Sequence, residues 1–354
     1  MEIFDAHKQW ASRSADETYH SLETLLAAAK KKRDISRECE RPWDSLQVYS
    51  RGKAISLASE HGEADLNHYS FGQLCITVGA PADYLRSLPA EKAADCLNYG
   101  LQHSLAQKVN KANVLLALSD RPTVRAITTS RYDRLWDCDV VSRCLPLTEQ
   151  GWTLPPLSRP NPQGVQTRGL YLTDRECFVF MVSDKCRTFN GLSRGFFLSN
   201  SEVGAGALTL TCFLYDYICG NHIVWGASEI KRARFVHRGN KIEGRLAGLV
   251  GESSKLLSAP MADTDATIRK AIEFSLGTDA ETVTDWMYAK RLTTRQDAEA
   301  AYALAEVYEA EHKAAPTSAW GMVSGLTRLS QSRPYASDRL ALDAQASKIL
   351  EYVA

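Results

Sequence analysis

The apolar residues of this chain change their spacing twice, and the change divides the sequence into three parts. Up to about residue 112, and again beyond residue 241, they recur every three or four residues, as on one face of an α-helix. Between them they form short runs separated by glycine and polar turns, which is typical of β-strands. The pattern predicts an α+β protein in which helices from both ends flank a central antiparallel sheet. We expect a mainly helical N-terminal region (1–112), a β-rich core (113–240) and a helical C-terminal region (241–354).

Two further signals indicate where elements begin in the first half of the chain. The runs at 113–119 and 124–131 flank the turn Asp120–Thr123 and predict a β-hairpin, followed by a helix over Tyr132–Cys144. Near the N-terminus, Ser14–Glu17 has the form of a capping box, so a helix is expected to start there.

The segment around Glu202 combines strand patterns with polar turns. Phe196–Leu198 and Ala207–Cys212 are apolar runs joined by serine- and glycine-rich residues 199–206, which predicts a strand, a turn and a strand. A second polar segment, Cys219–His222, follows closely between apolar runs. Two polar segments so near each other indicate a site in this part of the chain.

The composition is that of an ordinary globular protein. Of the 354 residues, 44% are hydrophobic and 24% are charged, so disorder is not expected. No apolar run approaches the roughly 20 residues that span a bilayer, and the N-terminus is too polar for a signal peptide. We expect a cytoplasmic protein with no membrane partner. The nine cysteines lack CxxC spacing, so neither a disulfide framework nor a zinc finger is expected, and most should be buried thiols.

The net charge is positive only in the middle of the chain, where residues 121–240 hold 15 Lys/Arg against 10 Asp/Glu, between two slightly acidic flanks. On a regular strand, Arg125 and Arg131 share one face and lie roughly 20 Å apart, which suits several phosphates of an extended single strand. If residues 229–238 also form a strand, their arginines align on one side. The predicted nucleic-acid contacts are Arg125, Arg131, Arg134, Arg194, Lys231, Arg232, Arg234 and Arg238.

Three residues near the polar turns are catalytic candidates. Glu202, Asp216 and His222 could together hold Mg²⁺ or Mn²⁺ in a nuclease-like site. For Glu202 we favour a structural role, as a carboxylate that accepts backbone N–H bonds. Cys219 and His222 lack further zinc ligands in suitable spacing, so no metal is expected. Gly204–Gly206 lacks the Lys-Ser/Thr of a phosphate-binding loop, so no cofactor is expected either.

Several segments together resemble a family of phage and plasmid proteins that is catalogued only as a domain of unknown function. The segments are Pro42-Trp43-Asp44, Phe71-Gly72-Gln73-Leu74, Pro81-Ala82-Asp83-Tyr84-Leu85, Ser199-Asn200-Ser201-Glu202-Val203-Gly204, Cys219-Gly220-Asn221-His222 and Trp320-Gly321-Met322. They cover roughly residues 42–350, and the Asn-Ser-Glu-Val-Gly segment is the most specific of them. The chain departs from the family at His222, where glycine is common. The resemblance implies a mobile-element origin and no assigned activity.

Three classes of function follow from these features. The favoured one is single-stranded nucleic-acid binding or annealing by a homo-oligomer, because of the arginine placement and the resemblance. The second is an interaction protein that inhibits a host defence factor, and the third is a metal-dependent hydrolase or nuclease. The central part of the chain also contains aromatic rings of the kind that stack on nucleic-acid bases, and most of them are expected in the core. They are Tyr132, Trp136, Phe196, Phe197, Tyr215 and Trp225.

Overall fold

The structure is a computed structural model that describes residues 15–52, 54–59, 62–103, 111–157, 166–188, 191–215, 222–224, 232–235, 237, 244, 247–248, 251–253, 255 and 262–353. These residues form an α+β fold, as the sequence predicts. Its strands are divided between two sheets instead of forming a single central one.

Strands are concentrated in the first two thirds of the chain. They are β1 (Glu17–Tyr19), β2 (Ser36–Arg41), β3 (Val48–Arg51), β4 (Ala54–Ser59), β5 (Gly62–Leu66), β6 (Ala112–Ala117), β7 (Thr123–Thr129), β8 (Leu170–Leu172), β9 (Cys177–Arg187), β10 (Ser193–Asn200), β11 (Leu208–Tyr215), β12 (His222–Val224) and β13 (Arg232–Phe235).

Helices occur in all three parts of the chain. They are α1 (Leu22–Asp34), α2 (His68–Val78), α3 (Ala82–Ser87), α4 (Ala90–His103), α5 (Asp137–Cys144), α6 (Ala262–Glu273), α7 (Ala280–Ala289), α8 (Arg295–Val307), α9 (Glu309–His312), α10 (Ala319–Ser330) and α11 (Ala336–Glu351). Two short 3₁₀ segments add to them, at Trp43–Ser45 and Leu145–Gln150.

The N-terminal sheet has six strands in the order β2-β6-β7-β5-β4-β3. Its neighbouring strands are antiparallel, except for the parallel pair of β5 with β7. The predicted hairpin of β6 and β7 is confirmed. Four of the strands lie within residues 36–66, between the first two helices of the N-terminal region. One face of this sheet is covered by α2, α3 and α4, which bury Phe71, Leu85 and Leu97 against it.

The central sheet is antiparallel and follows the order β1-β8-β9-β10-β11-β12, with β13 also paired to β11. The predicted strand, turn and strand around Glu202 are confirmed as β10, residues 201–207 and β11. β12 pairs with Phe213–Tyr215 and β13 with Leu208–Thr211, so the two short strands share one edge of β11. The segment 229–238 therefore contains the strand that we considered.

Helices cover both faces of the central sheet. On one face, α1 and α5 pack against the sheet and bury Leu25 and Val141, together with Trp152. The other face is rich in aromatic residues, among them Phe180 and Phe213. The C-terminal helices form a core of their own that continues onto the sheet at its strand β11.

Two helix starts differ from the sequence prediction. Residues 17–19 form β1, and the first helix begins only after Ser21, whose side chain accepts a bond from the Thr24 backbone N–H. The helix expected from Tyr132 starts at Asp137. In the first case Ser21 provides the N-cap, and the apolar face of the helix follows it directly. Ser14 lies outside the described residues.

None of the described helices combines the length and the apolar character that are needed to cross a bilayer. Seven cysteines in the described part of the chain form no disulfide, and all except Cys96 are buried. The prediction that most cysteines are small buried thiols is confirmed for these seven.

Candidate functional site

The turn between β10 and β11 carries Glu202 into the interior, where the two sheets meet. Glu202 is 1% exposed. Its Oε2 accepts a bond from Arg125 Nη2 at 2.5 Å, and its Oε1 accepts one from the backbone N–H of Asp137 at 2.9 Å. Burial opposes ionisation, but the charges of Arg125 and Lys32 outweigh it and hold the pKa of Glu202 below its usual range. Both oxygens are thus bound by protein donors, which is the geometry of a structural carboxylate.

Arg125 reaches Glu202 because β7 contains a bulge. Val124 pairs with Leu116 and Ala126 pairs with Leu115, so Arg125 is an extra residue opposite the β6 backbone. A bulge of this kind turns the side chain away from its regular direction. Arg125 is buried and also donates to Ser36 Oγ at 2.7 Å, whereas Ile127 packs in the N-terminal core. Arg125 thus points into the interior whereas Arg131 is exposed, so the two arginines do not share a solvent-facing side of the strand.

Two more arginines predicted to contact nucleic acid are buried. Arg134 is 5% exposed, and its Nε donates to Glu38 Oε1 at 2.8 Å while its Nη1 donates to the backbone carbonyl of Glu202. Arg194, on β10, is 8% exposed. A buried guanidinium is stable only when it is paired or hydrogen-bonded, and it cannot reach a phosphate chain on the surface. Arg134 and Arg194 are therefore not part of the exposed basic surface.

A second buried carboxylate, Asp137, adjoins Glu202. Its Oδ1 accepts a bond from Asn200 Nδ2 at 2.8 Å, and its Oδ2 lies 3.7 Å from Lys32 Nζ. Burial, reinforced by the negative charge of Glu202, raises the pKa of Asp137 to about 7. The cluster of Lys32, Arg125, Asp137, Asn200 and Glu202, which we call the buried ionic cluster, thus joins α1, α5 and the two sheets.

The outer side of the same turn faces solvent and borders a cavity. This arginine cavity has a volume of about 550 Å³ and is lined by Tyr132, the turn residues 204–207, Arg234 and His237. Arg234 is exposed, and so is Arg131, which directly precedes Tyr132. Among the described residues, neither arginine forms an ion pair with a carboxylate. Of the predicted nucleic-acid contacts, Arg234 lines this cavity, and Arg131 is exposed next to its lining residue Tyr132.

Tyr132 forms a rigid wall of the arginine cavity. Its hydroxyl donates to the backbone carbonyl of Ser201. Its ring stacks on that of His237, with the ring centres 5.1 Å apart and the planes 12° from parallel. His237 is in turn held to Asp133, whose backbone N–H donates to the His237 carbonyl at 3.1 Å. Burial raises the pKa of Tyr132 well above its ordinary value, so the phenol stays protonated and keeps donating.

A second cavity lies on the other side of Tyr132 and Gly204. This aromatic cavity has a volume of about 490 Å³, and its lining includes Trp43, Tyr69, Ile76, Thr128, Tyr132 and Gly204. Because both cavities share Tyr132 and Gly204 as lining residues, they adjoin each other, and we refer to them together as the Gly204 cleft.

Gln73 and Gly204 fix the turn within the Gly204 cleft. Gln73, on α2, donates to the Val203 carbonyl at 2.8 Å and accepts from the Ile127 backbone N–H at 2.8 Å, so it links the turn to β7. Gly204 has a φ of +88°, and a Cβ added there would lie 3.1 Å from the Thr128 methyl carbon. Only glycine meets both conditions without strain.

The remaining predicted site residues are only partly described. His222 lies at the start of β12 and Arg232 at the start of β13, where the structure describes the backbone alone. Asp216, Lys231 and Arg238 lie outside the described residues. Within the described part of the chain, no group of three or more His, Cys, Asp or Glu residues is arranged to hold a metal ion.

Sequence patterns did not reveal the partners of the turn. Lys32 stands in a KKKR run that is typical of a solvated helix end, and Asp137 and Gln73 carry no motif. Their proximity to Glu202 comes from tertiary packing between segments up to 170 residues apart in sequence, 32 against 202. The one available signal was the Asn-Ser-Glu-Val-Gly segment, which placed the turn but not what it binds.

Comparison of the chain with family models, with curated proteins and with solved structures found no match.

Proposed function

We propose that this chain binds single-stranded nucleic acid along the Gly204 cleft. The observation that carries the proposal is the placement of the exposed Arg234 in the lining of the arginine cavity together with the ring of Tyr132, which the exposed Arg131 directly precedes in the chain. An extended single strand presents phosphates and unpaired bases together, and proteins bind it with cationic side chains next to aromatic rings. The cleft offers both.

The charge distribution supports this proposal at the level of the site. Arg125 forms an ion pair with Glu202, and Arg134 forms one with Glu38. Only part of the Lys/Arg excess in residues 121–240 is therefore accessible to a ligand. Arg131 and Arg234 remain at the surface. Each phosphate that they neutralise would release bound counterions, which favours association at low salt.

The annealing role of a homo-oligomer belongs to the same proposal. Hydrolysis at Glu202 is a weaker candidate, because both oxygens of this carboxylate are bound by protein donors. A general base needs a free lone pair within reach of the proton that it abstracts.

Binding of a fluorescent single-stranded oligonucleotide, measured by anisotropy, tests the proposal. We expect Arg131→Ala and Arg234→Ala each to weaken binding by about fivefold to tenfold at low salt, because each removes one phosphate contact. The matched control is Lys31→Ala, since Lys31 is an exposed cation on α1 and neither it nor its chain neighbours line the cleft, whereas Arg131 adjoins Tyr132. Equal losses from the control and from the two arginine variants would contradict the localisation, and no binding by the unmodified chain would contradict the function.

A further inference from the structure

The two halves of the Gly204 cleft differ in chemistry, and the difference points to two parts of one nucleotide. We propose that the aromatic cavity takes a single nucleobase while the arginine cavity takes the adjoining phosphate. This inference rests on the proposed function and deepens it. It also predicts that the bases, and not only the phosphates, contribute to the binding affinity.

Size and position agree with this division. The aromatic cavity has a volume of about 490 Å³ and the arginine cavity about 550 Å³, which are typical of pockets for small organic groups. They share Tyr132 and Gly204, so groups in the two cavities would be neighbours along a chain. A base and its own phosphate are neighbours of that kind. Gly204 has no side chain that would separate them.

The lining of the aromatic cavity suits a flat ring. Trp43, Tyr69 and Tyr132 contribute aromatic surface, and Ile76 adds an aliphatic side chain at the rim. Ile76 is 78% exposed although it is strongly apolar. A single exposed isoleucine is unremarkable by itself, but at the mouth of an aromatic cavity it provides surface that a base would cover.

Several polar groups of this cavity are engaged by the protein. Both ends of the Gln73 amide are bound to backbone groups, and the Tyr132 hydroxyl donates to the Ser201 carbonyl. The Thr77 hydroxyl donates to the Gln73 carbonyl at 2.9 Å. These groups shape the cavity and leave few donors or acceptors to distinguish one base from another. We therefore expect stacking with little sequence preference.

An abasic oligomer separates the nucleobase contribution from the phosphate contribution. It has the same sugar-phosphate backbone and charge as single-stranded DNA but carries no bases, so contacts to Arg131 and Arg234 are retained. We expect the unmodified chain to bind single-stranded DNA about tenfold more tightly than the abasic oligomer of equal length, as the loss of a stacked base implies. Homopolymers of different pyrimidine bases should bind within about threefold of each other.

A matched pair of variants locates the base. Ile76→Ser removes apolar surface at the cavity rim, whereas Val307→Ser makes a similar change at an exposed position (72%) on α8, away from the cleft. We expect Ile76→Ser to weaken DNA binding about fivefold and to leave abasic binding unchanged, while Val307→Ser affects neither.

The outcomes separate the two proposals. Equal affinity for DNA and the abasic oligomer would overturn the base subsite and leave the phosphate contacts standing. An unaltered DNA affinity in Ile76→Ser would also overturn it. Binding of neither oligomer would contradict the proposed function itself, and the base subsite with it.

Discussion

At the scale of single residues, the burial of Glu202 depends on its hydrogen-bond partners Arg125 and Asp137, which lie in other segments of the chain. The turn sequence places a carboxylate between serine and glycine residues, and that much follows from the Asn-Ser-Glu-Val-Gly segment. Its burial against Arg125 depends on a bulge in β7, which no residue of that strand signals. A regular strand would have pointed Arg125 and Ile127 to the same side.

Glu202→Gln tests the structural role of this carboxylate. The substitution keeps the shape and an acceptor for Arg125, but it leaves the buried guanidinium without its counter-charge. We expect the free energy of unfolding to fall by about 3 kcal/mol, as for a broken buried ion pair. Urea denaturation measures the loss. Glu40→Gln on β2 is the control, because Glu40 is exposed and should change stability by less than about 0.5 kcal/mol.

A double-mutant cycle with Arg125→Met assigns that loss to the pair. If Arg125 and Glu202 stabilise the protein through each other, the cost of the double variant is smaller than the sum of the two single costs by more than about 1 kcal/mol. Additive costs would show that Glu202 acts through other contacts, such as the Asp137 backbone N–H.

Asp137 gives the protein a pH dependence of defined sign. Its pKa is raised to about 7 in the folded chain, against about 3.9 in an unfolded one. Between these values the folded state binds more protons, so the stability that the protonated Asp137 provides is lost as the pH rises through 7. Glu202, with its lowered pKa, is ionised in the folded state and, above about pH 5, also in the unfolded state, so it adds little slope between pH 5 and pH 7.

Asp137→Asn removes this dependence, since asparagine keeps an acceptor for Asn200 and cannot ionise. We expect the unfolding free energy of the unmodified chain to fall by about 2 kcal/mol relative to this variant between pH 5 and pH 7. Denaturation at both pH values gives the difference. Asp139→Asn is the control, because Asp139 is partly exposed and pairs with Arg33. A difference that stays constant with pH would refute the assignment to Asp137.

At the scale of elements, strong patterns gave correct predictions and edge strands did not. The hairpins of β6 with β7 and of β10 with β11 have alternating or continuous apolar runs around a polar turn, and both are confirmed. β2 has the sequence Ser-Arg-Glu-Cys-Glu-Arg and lies at a sheet edge, where only Ser36 and Cys39 are buried. A strand with so little apolar surface carries no period that could identify it, and edge strands commonly bear charges.

The element that positions the Gly204 cleft is α2, through Gln73. Gln73→Ala should leave the Val203 carbonyl and the Ile127 N–H without their partner and cost about 2 kcal/mol of stability. It should also speed hydrogen exchange at the Ile127 amide and weaken DNA binding. Gln102→Ala on α4 is the control, since Gln102 is exposed. Unchanged exchange at Ile127 in the Gln73 variant would show that the link is not needed.

At the scale of the whole molecule, the α+β class was predictable and the arrangement of two sheets was not. Composition and periodicity report how many residues favour each element, whereas the partition of strands between sheets is decided by long-range pairing. The same limit applied to the arginines. Sequence spacing could not tell that Arg125, Arg134 and Arg194 are buried while Arg131 and Arg234 remain at the surface.

The most direct test of the central claim is the salt dependence of single-stranded DNA binding by the unmodified chain and by the double variant Arg131→Ala/Arg234→Ala. Each phosphate contact on a single strand contributes about 0.7 to the slope of log affinity against log salt. We therefore predict that the double variant binds more weakly and with a slope shallower by about 1.4. An unchanged slope and affinity in the double variant would contradict binding along the Gly204 cleft.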